Sequence, residues 1–206
     1  MQLAILGTGA VAQTLARHWS AAGHQVSLGS RDPASRSNLP APVRSRQDAV
    51  AASDVVVNAT PGAVSLEVVT EIGAGPFGDK VLVDVANANT QSFELVYPNS
   101  SLGEKLQAAL PAVKVVKTLN TAAMSVLTEP AMLPASSVFL SGDDAGAKST
   151  VVTLLADLGW PTDSIVDLGG IESARGPEHY FLMFAALMQA LHTPQFNIRL
   201  VTGTAQ

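Results

Sequence analysis

The chain has 206 residues, of which 47% are apolar and only 14% are charged, so we expect one α/β fold around a sizeable core. The formal net charge is −5 and the basic residues do not form a run, which argues against nucleic acid as a partner. Because the chain contains no cysteine, disulfides, thiolate catalysis and cysteine metal sites are excluded, and a cytoplasmic location is expected.

Nothing in the apolar pattern indicates a membrane segment. The chain starts directly with an apolar run and shows neither the basic region nor the cleavage site of a signal peptide. The nearest candidate for a span, Tyr180 to Leu191, is too short and contains Gln189. We therefore expect no membrane partner.

The first thirty residues predict a strand, a glycine-rich turn, a helix and a second strand. Leu3 to Leu6 is a short apolar run, and an amphipathic run from Ala10 to Ala22 follows the turn. Gly23 ends the helix, and Gln25 to Leu28 is the next apolar strand. This order is the βαβ unit that binds dinucleotides in many α/β proteins.

Small residues stand at the positions where that unit needs them. Gly7 permits the tight turn, Gly9 lets a pyrophosphate approach the backbone, and Ala12 allows close packing of helix on strand. Free N–H groups at the start of the helix attract the negative charge of the pyrophosphate. A turn that binds nothing is the alternative. The candidate cofactor-binding residues of this turn are Gly7, Thr8, Gly9, Ala10 and Val11.

The end of the second strand indicates which dinucleotide is bound. NAD-binding units usually carry a carboxylate there, whereas this chain has Ser30 and Arg31, with Arg36 a few residues on. A guanidinium pairs with a 2′-phosphate in bidentate fashion, which favours NADP over NAD. Asp32 keeps the alternative open, because it is close enough to serve a ribose 2′-hydroxyl if the strand ends later.

A second group of candidate residues follows the next buried strand, Asp54 to Asn58. The polar turn Ala59-Thr60-Pro61-Gly62 comes at the carboxyl end of that strand, where open α/β sheets place ligands. Ala59, Thr60 and Pro61 are therefore predicted to line the cofactor. Thr60 as a helix N-cap with Pro61 at the first helical position is an alternative compatible with this role.

The remaining strands extend the pattern along the chain. Strands are predicted at Lys80 to Asp84, Val113 to Leu119, Val138 to Leu140 and Ser164 to Leu168, with intervening helices that include 101–110 and 145–158. Asp84 is expected to be a structural hydrogen-bond acceptor. The candidate cofactor-binding residues after these strands are Asn87, Asn120, Thr121, Ala122 and Ala123.

These elements predict a Rossmann-like, doubly wound, mostly parallel sheet with helices on both faces and a C-terminal apolar helix. Residues 1–168 would form the NADP-binding domain, and residues 169–206 would complete the substrate cleft. The last helix is predicted over Ile171 to His192 and is apolar on nearly all faces beyond Tyr180. Such a helix must be buried, so we expect a homodimer built on it.

The candidate site lacks the side chains of acid–base catalysis. The four histidines do not stand at metal-ligand spacing, and neither a Ser-His-Asp arrangement nor a paired carboxylate is evident. Direct hydride transfer between two flat rings needs little proton transfer, so this lining favours a small-molecule redox acceptor. An NADP-binding sensor or scaffold without turnover is the alternative.

Six segments carry a resemblance to a known family. In chain order they are LGTGAVAQTLA, LGSRD, NATPG, VLVDVANA, VVKTLNTAA and SGDDAGAKSTVVTLLADLGW. Together they resemble the coenzyme F-420-dependent NADP oxidoreductases, a family also seen as the cytoplasmic reductase domain of transmembrane metalloreductases. The resemblance covers almost the whole chain.

The resemblance implies specific roles for these segments. Gly7 to Ala10 would cradle the pyrophosphate, and Ser30 with Arg31 would hold the 2′-phosphate. Thr60 and Pro61, together with the turn from Asn120 to Met124, would frame the nicotinamide and the acceptor ring. The acceptor is left open between the deazaflavin coenzyme F-420, a flavin (FMN or FAD) and another flat molecule. The reason is that archaeal deazaflavin enzymes, which resemble this pattern, have histidine at the position of Asn120.

Overall fold

The strands lie side by side in one sheet. The computed structural model describes residues 1–203, and its strands are β1 (Gln2–Leu6), β2 (Gln25–Ser30), β3 (Val43–Ser45), β4 (Val55–Asn58), β5 (Val81–Asp84), β6 (Lys114–Thr118), β7 (Val138–Gly142) and β8 (Ile165–Asp167). Their order across the sheet is β3-β2-β1-β4-β5-β6-β7-β8. All neighbouring strands pair in parallel except β6 and β7, which are antiparallel. The predicted doubly wound, mostly parallel sheet is confirmed.

Helices cover both faces of this sheet. They are α1 (Ala10–Ala21), α2 (Arg46–Ala51), α3 (Gly62–Ile72), α4 (Ala74–Phe77), α5 (Leu102–Ala109), α6 (Met124–Thr128), α7 (Ala145–Asp157) and α8 (Arg175–Leu191). Short 3-10 turns occupy 130–132, 162–164 and 171–174. The last helix thus starts at Arg175 rather than at Ile171, because the four residues before it form one of these tighter turns.

Strand side chains alternate between two separate cores. On one face, Ile5 and Val57 pack with α1, α6 and α7. Both tryptophans of the chain lie in this core: Trp19 donates its indole N–H to the Leu154 carbonyl at 3.1 Å, and Trp160 donates to the Leu127 carbonyl at 2.8 Å. Each buried indole therefore has its one donor satisfied.

The opposite face carries the second core. There Val56 and Leu82 pack with Phe77 and with the apolar sides of α3 and α5, together with Ile171. The alternation of side chains along β5 and β6 also places Asp84 and Lys117 on this second face.

The C-terminal helix is largely outside both cores. Its buried residues are Pro177 and Glu178, whereas Leu182, Met183 and Leu191 are each about half exposed. Across residues 1–203 no helix is both long and apolar enough to cross a bilayer. The expected cytoplasmic location stays a prediction.

Candidate nucleotide-binding site

A cleft of about 700 Å³ opens at the carboxyl edge of the sheet, where β1 and β4 lie side by side and the strand order reverses. The segments that leave β1, β4, β5 and β6 line it. Its lining residues are Thr8, Gly9, Ala10, Val11, Arg36, Ala59, Thr60, Pro61, Gly62, Val85, Ala86, Asn87, Asn89, Leu119, Asn120, Ala122 and Met124.

The glycine-rich turn has the shape that a dinucleotide requires. Gly7 has φ +118°, and an added Cβ would lie 2.8 Å from the Ala59 carbonyl oxygen, so only glycine fits between β1 and β4. At Gly9 an added Cβ would meet nothing within 4 Å, because this residue faces the open cleft. The turn is thus closely packed at Gly7 and open at Gly9, where a ligand would approach.

The two longer helices that begin at this cleft, α1 and α3, lack a side-chain cap, as does the five-residue α6. The first residues before α1 and α3 are Gly9 and Pro61, and neither provides a capping hydrogen bond. In contrast, α2, α5 and α7 are capped by Ser45, Ser101 and Asp144, away from the cleft lining. Unpaired N–H groups and the positive end of the helix dipole therefore point toward the cleft, which suits an anionic ligand.

Thr60 has a different role from helix capping. Its hydroxyl donates to Asn58 Oδ1 at 2.6 Å and lies 2.8 Å from the Ser65 hydroxyl, and helix α3 begins only at Gly62. The alternative of a Thr60 N-cap with proline at the first helical position is therefore wrong. Instead, Thr60 is buried and ties the cleft-lining turn to the end of β4.

Two asparagines close the other side of the cleft. The Asn87 amide donates to the Asn120 carbonyl at 2.8 Å, and the Asn120 amide donates to Asn87 Oδ1 at 2.9 Å. Gly62 packs so closely on this pair that an added Cβ would lie 2.2 Å from the Asn87 carbonyl oxygen. The exits of β4, β5 and β6 are thus held in contact, which fixes the width of the cleft.

The loop after β2 presents two arginines near the cleft. Ser30 is buried at the end of β2, and its hydroxyl accepts the Asp32 backbone N–H at 3.1 Å. Arg31 and Arg36 are exposed, and within residues 1–203 neither forms a salt bridge. Arg36 reaches the cleft lining, whereas Arg31 lies outside it.

The structure brings most of the predicted residues together. Eleven line the cleft: Thr8, Gly9, Ala10, Val11, Arg36, Ala59, Thr60, Pro61, Asn87, Asn120 and Ala122. Five stand behind or beside it: Gly7, Ser30, Arg31, Thr121 and Ala123. Met124, the end of the turn expected to frame the two rings, also lines the cleft. Sequence reasoning missed five lining residues: Gly62, Val85, Ala86, Asn89 and Leu119. These five extend the same strand exits, so taking each exit as one continuous wall would have found them.

The cleft lining is poor in ionisable side chains. Among the lining residues that the structure describes, Arg36 is the single ionisable one, and the polar remainder consists of Thr8, Thr60 and the amides of Asn87, Asn89 and Asn120. Over residues 1–203 no cluster of histidine, aspartate or glutamate could hold a metal ion. The cleft can therefore bind and align flat molecules, but its lining provides no side chain to exchange a proton.

A buried ion cluster beneath the cleft was not predicted. Lys117 Nζ lies 2.8 Å from Asp84 Oδ2 and 3.1 Å from Glu178 Oε1, and the three side chains are almost fully buried. Burial alone would lower the pKa of the Lys117 ammonium, but the two carboxylates outweigh it and raise the pKa above its ordinary value. Asp84 is thus the structural acceptor that was expected, and its principal partner is a lysine.

Comparison with known proteins identifies the family. Residues 2–88 match the family model of the coenzyme F-420-dependent NADP oxidoreductases. A solved structure from Arthrobacter sp. FB24, to which F-420-dependent NADP reductase activity has been attributed, superposes with a TM-score of 0.92 and is 38% identical, covering 98% of this chain and 100% of that one. The chain belongs to the coenzyme F-420-dependent NADP oxidoreductase family.

More distant proteins share parts of this arrangement. The rat metalloreductase STEAP3 (Rattus norvegicus) is 30% identical over 182 residues, which are 86% of this family member but 36% of the metalloreductase. The chain therefore spans about a third of the length of that relative. A reductive aminase from Aspergillus terreus, solved with NADPH and ethyl-5-oxohexanoate, has a TM-score of 0.68 at 20% identity over 93% of this chain and 62% of its own, which shows the fold alone.

Membership confirms the enzyme class predicted from the sequence. This family member is an NADP-dependent oxidoreductase, and its sheet, glycine turn and cleft form the nucleotide-binding fold of the family.

Proposed function

We propose that the protein transfers hydride between NADP(H) and a flat redox acceptor, namely the deazaflavin coenzyme F-420 or a flavin (FMN or FAD). The observation that carries this proposal is the cleft lining, which combines an anion-attracting turn with walls that lack any proton-exchanging side chain. Reduction of an isolated carbonyl needs a proton donor for the developing alkoxide, whereas hydride transfer between aromatic rings does not. The lining therefore favours a ring acceptor.

The residues of the cleft fit NADP along its whole length. The pyrophosphate would lie over Gly9 and the uncapped start of α1, where the backbone is bare. Arg36 in the cleft lining and Arg31 in the same loop would hold the 2′-phosphate together with the Ser30 hydroxyl at the end of β2. The nicotinamide would then lie deeper, between the β4 exit and the segment that starts at Asn120.

The remaining walls can position the second ring. Bound NADPH supplies two electrons as a hydride, and the acceptor takes up that hydride and one proton. Because the lining holds no acid, we infer that the proton comes from solvent at the open side of the cleft. The chain contributes alignment and exclusion of water from the face where the two rings meet.

We also propose that the protein forms a homodimer through α8. Leu182 and Met183, which are neighbours on α8, and Leu191 at its end are each about half exposed, so this helix carries apolar surface that a partner would cover. Phe181, next to Leu182, stacks on Phe93 at 5.9 Å between ring centroids. Phe93 belongs to the same short segment as Asn89 of the cleft lining, so a partner on α8 would adjoin the acceptor side.

The decisive experiment measures turnover with each acceptor. Purified protein and NADPH are mixed with coenzyme F-420, FMN or FAD, and loss of the reduced nicotinamide absorbance is followed. We expect oxidation with at least one of these acceptors. Gly9→Ala should block the reaction because its methyl group occupies the pyrophosphate space, whereas Gly75→Ala on α4, which also meets nothing within 4 Å, should not.

Tight NADPH binding without oxidation of any flat acceptor would instead support the sensor or scaffold alternative. The lack of acid–base side chains in the lining is compatible with that alternative too. Binding measured by titration on the same protein preparation separates the two outcomes. Absence of NADPH binding would reject both.

A further inference from the structure

Lys117 is fully buried in the second face of the sheet, near the end of β6. Its ammonium has three acceptors: Asp84 Oδ2 at 2.8 Å, Glu178 Oε1 at 3.1 Å, and the backbone carbonyl of Ala86. These acceptors belong to the end of β5, to the segment that leaves β5, and to the first turn of α8. One side chain thus joins three parts of the molecule.

Two of those parts lead directly to the cleft. Ala86 lies between Val85 and Asn87, and all three residues line the cleft. Asp84 also accepts the Asn58 amide at 2.8 Å through its other oxygen, and Asn58 in turn accepts the hydroxyl of Thr60. A continuous chain of buried hydrogen bonds therefore runs from Lys117 beneath the walls formed by the β5 and β4 exits.

The third part leads away from the cleft to the helices. Glu178 accepts the backbone N–H groups of Leu102 at 2.8 Å and Gly103 at 3.0 Å, which are the first residues of α5. The same carboxylate therefore caps α5 and pairs with Lys117. The segment Val85–Asn87 forms the floor of the cleft. Because Glu178 belongs to α8, the position of the C-terminal helix and the position of this cleft floor depend on one ammonium group.

Stability alone is a weak explanation for this arrangement. Taking charges out of water costs about as much as their attraction returns, so a buried ion pair is often no better than an apolar contact of the same volume. Such a cluster does impose one geometry, because each partner must stay within hydrogen-bond reach. At this place in the fold, the geometry that it imposes is that of the cleft floor.

We propose that Lys117 is a positioning residue for the nicotinamide half of the cofactor: it fixes the Val85–Asn87 segment and couples the C-terminal helix to it. The inference rests on the proposed function, since it concerns how NADP lies in the cleft. The adenosine half should not depend on Lys117, because Gly9 and Arg36 are absent from this chain of hydrogen bonds.

The test compares whole cofactor with half cofactor. Dissociation constants of NADPH and of adenosine 2′,5′-bisphosphate, which lacks the nicotinamide, are measured for the wild type and for Lys117→Met. We expect the affinity for the bisphosphate to change little, whereas the affinity advantage of NADPH over it falls by about tenfold. Turnover should fall further, on the order of a hundredfold, because hydride transfer is sensitive to small misplacements.

Two further variants keep the test interpretable. Lys117→Met alone leaves two carboxylates unpaired and could unfold, so Asp84→Asn/Lys117→Met provides a variant that is neutral at both positions while still removing the bond to Ala86. The control is Lys80→Met. Lys80 also donates to backbone carbonyls, those of Val50 and Pro76, but lies outside the cleft lining, so the ratio of the two affinities should stay at its wild-type value.

Each outcome has one meaning. Equal losses for both ligands in the folded double variant would make Lys117 merely structural, and no loss for either would also overturn the inference. If the wild type binds the bisphosphate and NADPH with equal affinity, the nicotinamide half gains nothing from the cleft floor and the inference fails. If the wild type binds neither ligand, the proposed function itself fails and the inference falls with it.

Discussion

At the scale of single residues, we expect the choice of nucleotide to depend on two guanidinium groups in the loop after β2. Arg36 reaches into the cleft lining and Arg31 stands beside it, and no carboxylate within residues 1–203 forms a salt bridge with either. Asp32, the residue that would serve an NAD ribose, lies in the same loop with its backbone N–H bonded to Ser30. If the arginines bind a 2′-phosphate, NADP should bind more tightly than NAD, whereas if Asp32 binds the ribose hydroxyls, NAD should bind more tightly.

Replacing Arg31 with alanine should remove most of the preference for NADP(H) over NAD(H). A charge-assisted hydrogen bond contributes roughly 1.5–3 kcal/mol, so we expect a loss of about one to two decades in NADP affinity. NAD affinity should change little, because the substitution leaves the proposed pyrophosphate site at Gly9 unchanged. Titration of both nucleotides into wild type, Arg31→Ala and the control Arg17→Ala on α1 measures the effect.

Added salt provides an independent check of the same contact. Because both arginines are exposed, salt should weaken NADP binding more than NAD binding. A preference for NAD in the wild type, lowered by Asp32→Ala, would show that the carboxylate holds the ribose instead. A preference for NADP that survives Arg31→Ala would move the phosphate site to Arg36.

At the scale of secondary-structure elements, an exposed ion pair links α5 to α8 beside the buried one. Arg175 contacts Glu104 through two nitrogens, at 2.6 and 2.9 Å, and the hydroxyls of Ser101 and Ser100 donate to the same carboxylate. Chiefly because of the Arg175 hydrogen bonds, the pKa of Glu104 falls from 4.5 to about 2. The folded state therefore favours the ionised form.

The Glu104→Gln variant should lose a pH-dependent part of the stability. Since the folded-state pKa is depressed, the contribution is complete above the unfolded value of 4.5 and is lost as pH falls toward about 2. The difference in unfolding free energy between wild type and variant should thus shrink over this range. Urea unfolding from pH 6 to about pH 2, with the exposed Glu67→Gln on α3 as control, measures it; a constant difference would contradict the assignment.

The strands that lead to the cleft were the elements most predictable from sequence. The Gly7-x-Gly9 spacing, the apolar strands and the exits at Thr60, Asn87 and Asn120 follow from local periodicity and small residues, and the cleft gathers the three exits as expected. Boundaries were less predictable: β2 was expected to end at Leu28 but continues to Ser30, because Gly29 and Ser30 pair with Arg44 and Ser45 of β3.

The Lys117 cluster illustrates what local patterns miss. A lysine inside the apolar strand VVKTL signals a buried carboxylate partner, and Asp84 at the end of the adjacent strand was the available candidate. Glu178 carried no such signal. It is distant in sequence, and its pairing depends on how the C-terminal helix packs against α5 rather than on any pattern within that helix.

At the scale of the whole molecule, the proposed homodimer depends on the exposed apolar residues of α8. We expect a dimer by sedimentation at micromolar concentration, and Leu182→Glu/Met183→Glu should shift it toward monomer. Each such side chain contributes roughly 1.5–3 kcal/mol when buried, so the double change should weaken association at least about a hundredfold. Met132→Glu, at an equally exposed methionine outside α8, is the control. A wild-type monomer would contradict the proposal.

The positions of the two tryptophans determine what optical spectroscopy can detect in this protein. Trp19 and Trp160 both lie in the core on the α1, α6 and α7 side of the sheet, whereas Tyr97 packs against the opposite core. Indole emission therefore reports on one half of the molecule and does not detect loosening around α3, α5 and Lys117. If the unfolding midpoint differs between tryptophan emission and far-ultraviolet circular dichroism, the packing on one face of the sheet is lost before the sheet itself unfolds.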